Sequence, residues 1–367
     1  MTSSPRALRI YAGCKARQLL EQQGLQPEMV KVIPAAAGGP KGLILGPLDR
    51  FIFGHWLTQS HHQVDLVGAS IGAWRMATAC LNDSVQAFER LERDYIAQRF
   101  DPPEGQKRPP ASLVSERFSQ SLQEFFGGRV AEVLNHPRYR LHVIASRGQG
   151  LLSRATPWLT PLGYAGAFLS NAFSRQALGL WLERMVFSTS QGGSLHSLPF
   201  GVNDLRSTQA GLTSTNFMDA VRASCSIPFV LDAVHDIQGA PHGAYWDGGI
   251  TDYHMHLDYL ASQTGQGVVL YPHFQKAVVP GWLDKSWKRR HQPSAYLDSM
   301  IVLAPDPAWV ASLPNGKLPD RHDFLSYGPD HECRAKAWNT SVSASQQLAD
   351  EFAQWLRTAD MGRVESL

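Results

Sequence analysis

Residues 63–81 read QVDLVGASIGAWRMATACL and place Ser70 between an apolar run and a helix-forming run. Residues 63–69 predict a buried strand, and the residues after Ser70 predict a helix. Gly68 to Gly72 match G-x-S-x-G, the pattern of a tight turn that lifts a serine hydroxyl clear of a sheet. The following helix directs its N-terminal N–H groups at the same point, which favours a developing negative charge. An ordinary strand-to-helix turn that contains a serine is the competing interpretation.

A second strand and turn precede this unit. Residues 29–36 (MVKVIPAA) predict a buried strand, and the glycine-rich segment 36–42 (AAGGPKG) follows it. Ligands bind at the carboxyl ends of strands in open α/β sheets, so the backbone N–H groups of Gly38 and Gly39 are candidates for an oxyanion hole, with Lys41 adding positive charge nearby. The phosphate-loop spacing is absent, because Lys41 is followed by glycine and leucine. A purely structural glycine turn remains open.

A third segment holds an acidic side chain at a predicted strand end. Tyr245-Trp246-Asp247-Gly248-Gly249 places Asp247 directly before two glycines. Asp-Gly is also a frequent turn dipeptide, so this segment alone is equally well explained as a plain turn.

Together the three segments resemble the patatin-like phospholipase family, whose motifs occur in the same order: D-G-G-G-x-R-G, then G-x-S-x-G, then D-G-G or D-G-A. Residues 223–229 (ASCSIPF) add a further family-like block before Asp247. The resemblance covers about residues 28–255. The first motif departs from the family pattern: Ala36 and Ala37 replace the aspartate and first glycine, Pro40 takes the variable position, and Lys41 replaces the arginine, which loses a planar bidentate donor.

The resemblance implies a Ser–Asp pair, with Ser70 as nucleophile, Asp247 as base and no catalytic histidine. It implies an oxyanion hole built by Gly38, Gly39 and Ile71. The residues expected to support these groups are Lys41, Gly42, Gly68, Gly72 and Gly248. It implies neither a metal nor an organic cofactor.

The fold expected from the resemblance is a three-layer α/β/α arrangement around a central, mostly parallel sheet. Residues 1–367 would form one domain, with a family-like core at about 28–255, a helical cover at 151–187 and a C-terminal extension at 261–367. The strand, turn and helix units read from the sequence agree with a parallel sheet with crossover helices. The chain of 367 residues, 43% hydrophobic and 18% charged, is long enough for a large core.

The implied activity is hydrolysis of lipid acyl esters, of phospholipase A or lysophospholipase type. A carboxylesterase acting on small acyl esters would need the same residues, and a non-catalytic binding protein on the same fold is the third alternative. The formal charge of +2 speaks against nucleic acid as a partner. The expected partner is a lipid or a small acyl ester, with contact to a membrane surface also allowed. Four scattered cysteines and no signal-peptide pattern indicate a cytoplasmic protein, which could be peripheral at a membrane.

Several other segments have two interpretations. The uncharged residues 155–174 could meet lipid or form a buried helical insert. The basic run from Lys285 to Arg290 could hold anionic lipid heads, although a solvated charged face is the simpler interpretation. His254 and His256 have the spacing of a metal pair on a strand but no visible third ligand. The first 20 residues are read as an amphipathic helix.

Overall fold

The computed structural model describes residues 6–106, 108–195, 197–260 and 267–367. Helices surround one mixed, mostly parallel sheet, as the sequence predicts for a three-layer α/β/α fold. The strands are β1 (Leu8–Ala12), β2 (Val30–Ala35), β3 (Val64–Ala69), β4 (Tyr139–Gly148), β5 (Leu182–Ser188), β6 (Ser190–Gln191), β7 (Ser194–Leu195), β8 (Ser207–Gly211), β9 (Val234–His235), β10 (Ala244–Asp247), β11 (Val268–Pro272), β12 (Met300–Pro305) and β13 (Val364–Ser366).

The helices are distributed along the whole chain. They are α1 (Cys14–Gln23), α2 (Gly46–Phe51), α3 (Ile71–Ala79), α4 (Ser84–Ala97), α5 (Ala111–Phe126), α6 (Val130–Leu134), α7 (Leu159–Phe173), α8 (Phe217–Cys225), α9 (Pro307–Ala311), α10 (His322–Ser326), α11 (His331–Ala344) and α12 (Gln346–Thr358). Among the residues that the structure describes, no helix has the length and apolar character needed to cross a bilayer.

Hydrogen-bonded strands follow the path β13-β1-β12-β11-β2-β3-β4-β10-β9, while β5 pairs with β4 and β8 pairs with β5. The five strands from β12 to β4 are parallel to one another. The sequences of β2, β3, β11 and β12 are largely apolar, as expected for strands covered on both faces. Parallel strands end at the same edge, so the turns after β2 and β3 lie side by side.

The most consequential strand is β4, because it is longer than its neighbour β3. Ala69, the last residue of β3, pairs with Ile144 in the parallel sense. Beyond that point β10 continues along the same edge of β4 in the antiparallel sense, and its last residue, Asp247, pairs with Ala145. The carboxyl ends of β3 and β10 therefore meet end to end against adjacent residues of β4.

The N-terminal segment differs from the predicted helix. Leu8–Ala12 form β1, a buried strand that pairs with β12 on one side and β13 on the other, and the helix begins only at Cys14. The apolar positions at 8 and 11 fit a helical period, but pairing with two distant strands determines the conformation.

Two predicted regions have a different internal structure. In the segment read as a helical cover, residues 159–173 form α7, whereas residues 182–188 form the buried strand β5. That second part belongs to the sheet, because it pairs along β4. Of the predicted C-terminal extension, residues 261–266 lie outside the described residues, and the rest adds β11, β12 and β13 to the same sheet.

A buried ion pair fastens the helix after β3. Arg75 on α3 donates two hydrogen bonds of 2.8 Å to the two carboxylate oxygens of Asp49 on α2, and both side chains are buried. Burial raises the pKa of Asp49, and the Arg75 guanidinium opposes that rise. The pair fixes α3, whose N-terminus borders Ser70.

Removing only the cation from this pair should destabilise the fold. We expect Arg75→Met to lower the free energy of unfolding by about 3–5 kcal/mol, because it leaves a buried carboxylate without a partner. The double variant Asp49→Asn with Arg75→Met should recover much of that loss. Urea unfolding followed by circular dichroism measures both, and equal stability of the single and double variants would contradict the prediction.

Candidate active site

The two candidate catalytic side chains lie where β3 and β10 meet. Ser70 Oγ donates a hydrogen bond of 2.8 Å to Asp247 Oδ2, although the two residues lie far apart in the sequence. Both residues are almost fully buried, with 3% of Ser70 and 6% of Asp247 exposed. A serine hydroxyl held directly on a desolvated carboxylate can pass its proton to that carboxylate.

Ser70 occupies a backbone conformation that non-glycine residues rarely adopt, with φ 56° and ψ −130°. This is the strained turn expected of G-x-S-x-G. The turn requires the backbone at Gly72 to lie close to β2, since a Cβ atom at Gly72 would lie 2.1 Å from the carbonyl oxygen of Ala35. A Cβ atom at Gly68 would likewise lie 2.5 Å from the Gly72 backbone. Both flanking glycines are therefore required by space.

Strand β4 holds the turn from the other side. Ser70 N–H donates to Ser224 Oγ at 2.9 Å, and Ser224 Oγ donates to the Ile144 carbonyl at 2.6 Å. Ser146 Oγ donates to the Asp247 carbonyl at 2.9 Å. The hydroxyls of Ser224 and Ser146 thus tie both candidate residues to one strand. Ser224 lies in the family-like block at 223–229, but its role was not anticipated from the sequence.

Asp247 is oriented by its own turn. Its Oδ1 accepts a hydrogen bond of 2.7 Å from the N–H of Gly249, which leaves Oδ2 for Ser70. A Cβ atom at Gly248 would lie 2.0 Å from the Ile144 carbonyl oxygen, so only glycine permits this approach to β4. Burial raises the pKa of Asp247, while the positive charge of Arg321 and the hydrogen bond from Ser70 oppose the rise.

The predicted oxyanion segment lies beside the two residues. Gly38 lines the same cavity as Asp247, and Gly39 has a positive φ of 58°. Within the described residues, no hydrogen bond uses the N–H group of Gly38 or Gly39. Ile71 is the first residue of α3, where N–H groups have no partner inside the helix. Three backbone donors are therefore available around Ser70.

Gly42 belongs to the short 3-10 helix that follows the oxyanion segment. A Cβ atom there would lie 3.5 Å from the Ile71 side chain, so Gly42 packs directly against the start of α3. Lys41 lines the cavity, and its ammonium lies 5.4 Å from the centre of the Phe274 ring. All of the residues predicted for the site are thus brought together.

A cavity of about 340 Å³ opens onto Asp247 and is lined by three cations, Lys41, Lys285 and Arg321. Within the part of the chain that the structure describes, none of the three forms a salt bridge. Lys285 instead places its ammonium 4.0 Å from the centre of the Tyr253 ring. Burial lowers its pKa to about 8, helped by Arg321 and Lys41. The cavity therefore carries excess positive charge.

Arg321 and Lys285 were not assigned to the site from the sequence. Arg321 lies in the segment LPDRHD, which has no motif, yet its Nε would be 2.9 Å from a Cβ atom at Gly39. Lys285 starts the basic run that was interpreted as a solvated face. In that run, Lys285, Lys288 and Arg289 are exposed, whereas Arg290 forms a salt bridge with the buried Asp284.

The two histidines with metal-pair spacing do not face one another. His254 is buried, and its Nδ1 accepts a hydrogen bond of 3.1 Å from the N–H of Val279. His256 Nε2 instead contacts Ser294 Oγ at 2.8 Å. Within the described residues, no group of three His, Cys, Asp or Glu side chains could hold a metal ion, and no histidine bonds to Ser70 or Asp247.

Comparison with known proteins identifies the family of the chain. A family model described as Patatin-like phospholipase matches residues 61–254, more than half of the chain. No curated protein matches the sequence. Among solved structures, the chain is similar to human GIVD cytosolic phospholipase A2, at 13% identity and a TM-score of 0.35; the match covers 97% of this chain and 66% of that one. It is also similar to VipD from Legionella pneumophila, at 12% identity and a TM-score of 0.34, covering 96% of this chain and 72% of that one.

Proposed function

We propose that this chain, which belongs to the patatin-like phospholipase family, hydrolyses acyl esters of lipids through an acyl-enzyme on Ser70, with Asp247 as the base. The observation that carries the proposal is the direct 2.8 Å hydrogen bond from Ser70 Oγ to Asp247 Oδ2, a carboxylate that lines the charged cavity. A non-catalytic binding protein would have no need for a strained serine on a buried carboxylate.

The reaction has two halves. Ser70 Oγ attacks the ester carbonyl carbon while its proton moves to Asp247 Oδ2, and a tetrahedral oxyanion forms. The oxyanion collapses, the bond to the alcohol breaks, and Asp247 returns the proton to the departing alkoxide. Water then attacks the acyl-enzyme, gives its proton to Asp247 and releases the fatty acid, after which Ser70 recovers its proton.

A carboxylate in water is too weak a base for this role. The surroundings of Asp247 make it a stronger base and fix its orientation. Burial raises its pKa, which brings its basicity closer to what proton transfer at neutral pH requires. The N–H of Gly249 keeps the carboxylate pointed at Ser70. No third group is needed to orient the base, in contrast to a histidine, which requires an acid behind it.

The oxyanion would be stabilised by the N–H groups of Gly38, Gly39 and Ile71. These donors are fixed before the reaction begins and cost no reorganisation when charge develops. Removal of one such donor typically lowers the rate about a hundred- to a thousandfold. Pro40 cannot take part, because it has no N–H group.

The cavity favours a lipid that carries a negative charge over a small neutral ester. Lys41, Lys285 and Arg321 line it together. Two carboxylates also line it: Asp247 accepts the hydrogen bond from Ser70, and Asp320 forms a salt bridge of 2.9 Å with Lys317. The three cations outnumber the two carboxylates, and a bound phosphate would balance the excess positive charge. The substrate class that fits is therefore a phospholipid or lysophospholipid.

The first prediction concerns the two reacting side chains. A fluorophosphonate probe should label Ser70, Ser70→Ala should abolish labelling and ester hydrolysis, and Asp247→Asn should remove activity nearly as completely because the two groups act as one unit. His322→Ala and His256→Ala serve as controls and should keep most of the turnover. A folded histidine variant as inactive as Ser70→Ala would replace the pair with a triad.

The second prediction concerns pH. Asp247 must be charged to accept a proton, so activity should fall as the pH drops through its raised pKa. Arg321→Gln removes the positive charge that opposes this rise, and the acidic limb of kcat/KM on a soluble neutral ester should therefore move to higher pH. Arg321→Lys should leave the limb close to that of the wild type. An unmoved limb in Arg321→Gln would show that Asp247 does not control it.

The third prediction separates phospholipid from simple ester. Lys285→Gln should lower kcat/KM for a lysophospholipid about tenfold or more while leaving a neutral monoacylglycerol of the same acyl chain nearly unaffected, because hydrogen bonds to charged groups contribute about 1.5–3 kcal/mol. Lys288→Gln, an exposed neighbour outside the cavity, is the matched control. Equal losses on both substrates would favour the small-ester alternative.

A further inference from the structure

An exposed apolar surface lies along one side of α7. Five large side chains in and beside this helix are more than half exposed, and we call them the apolar face: Trp158 (84%), Leu162 (62%), Leu169 (61%), Phe173 (89%) and Leu180 (73%). The members from 158 to 173 recur at helical spacing and so form one stripe. A contiguous exposed patch of this kind on a folded protein marks an interaction surface.

The apolar face cannot fold inward, because the opposite side of α7 is already anchored. Tyr164 and Ala167 are buried in a small core with Trp246, next to Asp247. Asn171 donates a hydrogen bond of 2.8 Å to the buried carboxylate of Asp284, which also accepts one of 2.6 Å from Arg290. The buried side of α7 is thus fixed to the rest of the protein, and the apolar face on the opposite side is exposed to solvent.

Helix α7, which carries the apolar face, contacts the walls of the cavity at two places. Tyr164 on α7 contacts the exposed Phe229 at 5.8 Å between ring centres, and Ile227 and Pro228 line the cavity. Phe168 on α7 contacts Trp287 at 6.3 Å, two residues beyond Lys285 in the cavity wall. Helix α7 therefore lies between two segments that form the cavity.

The charged side chains within the three segments that form and contact α7 have one sign. Residues 150–181, 226–231 and 285–297 contain no Asp or Glu. The same segments carry exposed cations at Arg154, Lys288 and Arg289. Large apolar side chains with a cationic rim are the combination that binds the interface of an anionic bilayer, where rings and aliphatic chains enter the headgroup region and the cations meet lipid phosphates.

We propose that the apolar face is a docking surface for anionic lipid bilayers and that docking turns the cavity mouth toward the lipid. This proposal rests on the proposed function, which makes the cavity the substrate site. It adds the bilayer as the partner from which the substrate comes. A lipid drawn partly out of the bilayer would pass directly from the apolar face to Lys285 and Ser70, with little of its acyl chain exposed to water.

The test uses the full chain and vesicles of equal parts phosphatidylcholine and phosphatidylglycerol. The double variant Trp158→Ser with Phe173→Ser should bind them at least about tenfold more weakly in co-sedimentation. Removal of one large apolar side chain from water by itself strengthens binding by about tenfold or more. Lys288→Glu with Arg289→Glu should weaken binding to these vesicles but not to pure phosphatidylcholine. Leu325→Ser, a change at an exposed leucine on α10 outside these segments, is the control.

Two further measurements separate docking from catalysis. Ser70→Ala should bind vesicles like the wild type, and the apolar double variant should hydrolyse a soluble short-chain ester at the wild-type rate, which also shows that it folds. Vesicle binding without hydrolysis by the wild type would reject the proposed function and leave the docking surface intact. The docking proposal is overturned if the wild type ignores vesicles, if the apolar variant binds normally, or if light scattering shows that these substitutions only dissociate a dimer.

Discussion

The site depends on the length of β4. This strand extends beyond the end of its parallel neighbour β3, and β10 pairs antiparallel with the part that remains. Ala69 and Asp247 therefore pair with the adjacent residues Ile144 and Ala145. The distance between Ser70 and Asp247 is consequently set by the backbone ladder. Ser224 and Ser146 add side-chain hydrogen bonds to the same arrangement. Geometry fixed in this way needs little further ordering when substrate binds, as electrostatic preorganisation requires.

Local motifs were predictable because they encode local geometry. The glycines at 68, 72 and 248 are required by contacts under 3 Å, and Ser70 and Asp247 follow from the turns that those glycines permit. The family resemblance supplied the pairing of the two turns. Pattern reasoning worked less well where the conformation depends on distant partners. Residues 8–12 pair with strands made from residues 300–305 and 364–366, and no local period reveals such pairing.

The cations of the cavity are a clearer example of residues whose grouping cannot be predicted from local sequence patterns. Lys285 stands in a basic run that looks solvated, and Arg321 stands in a loop without any motif. They line one cavity with Lys41 only after the chain has folded, and no local pattern reveals that grouping. Helix α7 is an intermediate case. Its lack of charge was evident in the sequence, but which side faces outward is decided by Asn171 and Asp284 meeting in the interior.

The position of β1 has a consequence for the order in which the protein can fold during synthesis. Strand β1 precedes the other described strands in the chain, but it pairs with β12 and β13, which follow all the others, and Arg9 forms ion pairs with Asp306 and Glu365. The Ser70 and Asp247 turns can assemble once residue 247 has left the ribosome, whereas Lys285 and Arg321 arrive later. A nascent chain would therefore bring Ser70 and Asp247 together before Lys285 and Arg321 can join the cavity, and β1 would stay unpaired until its partner strands have been made.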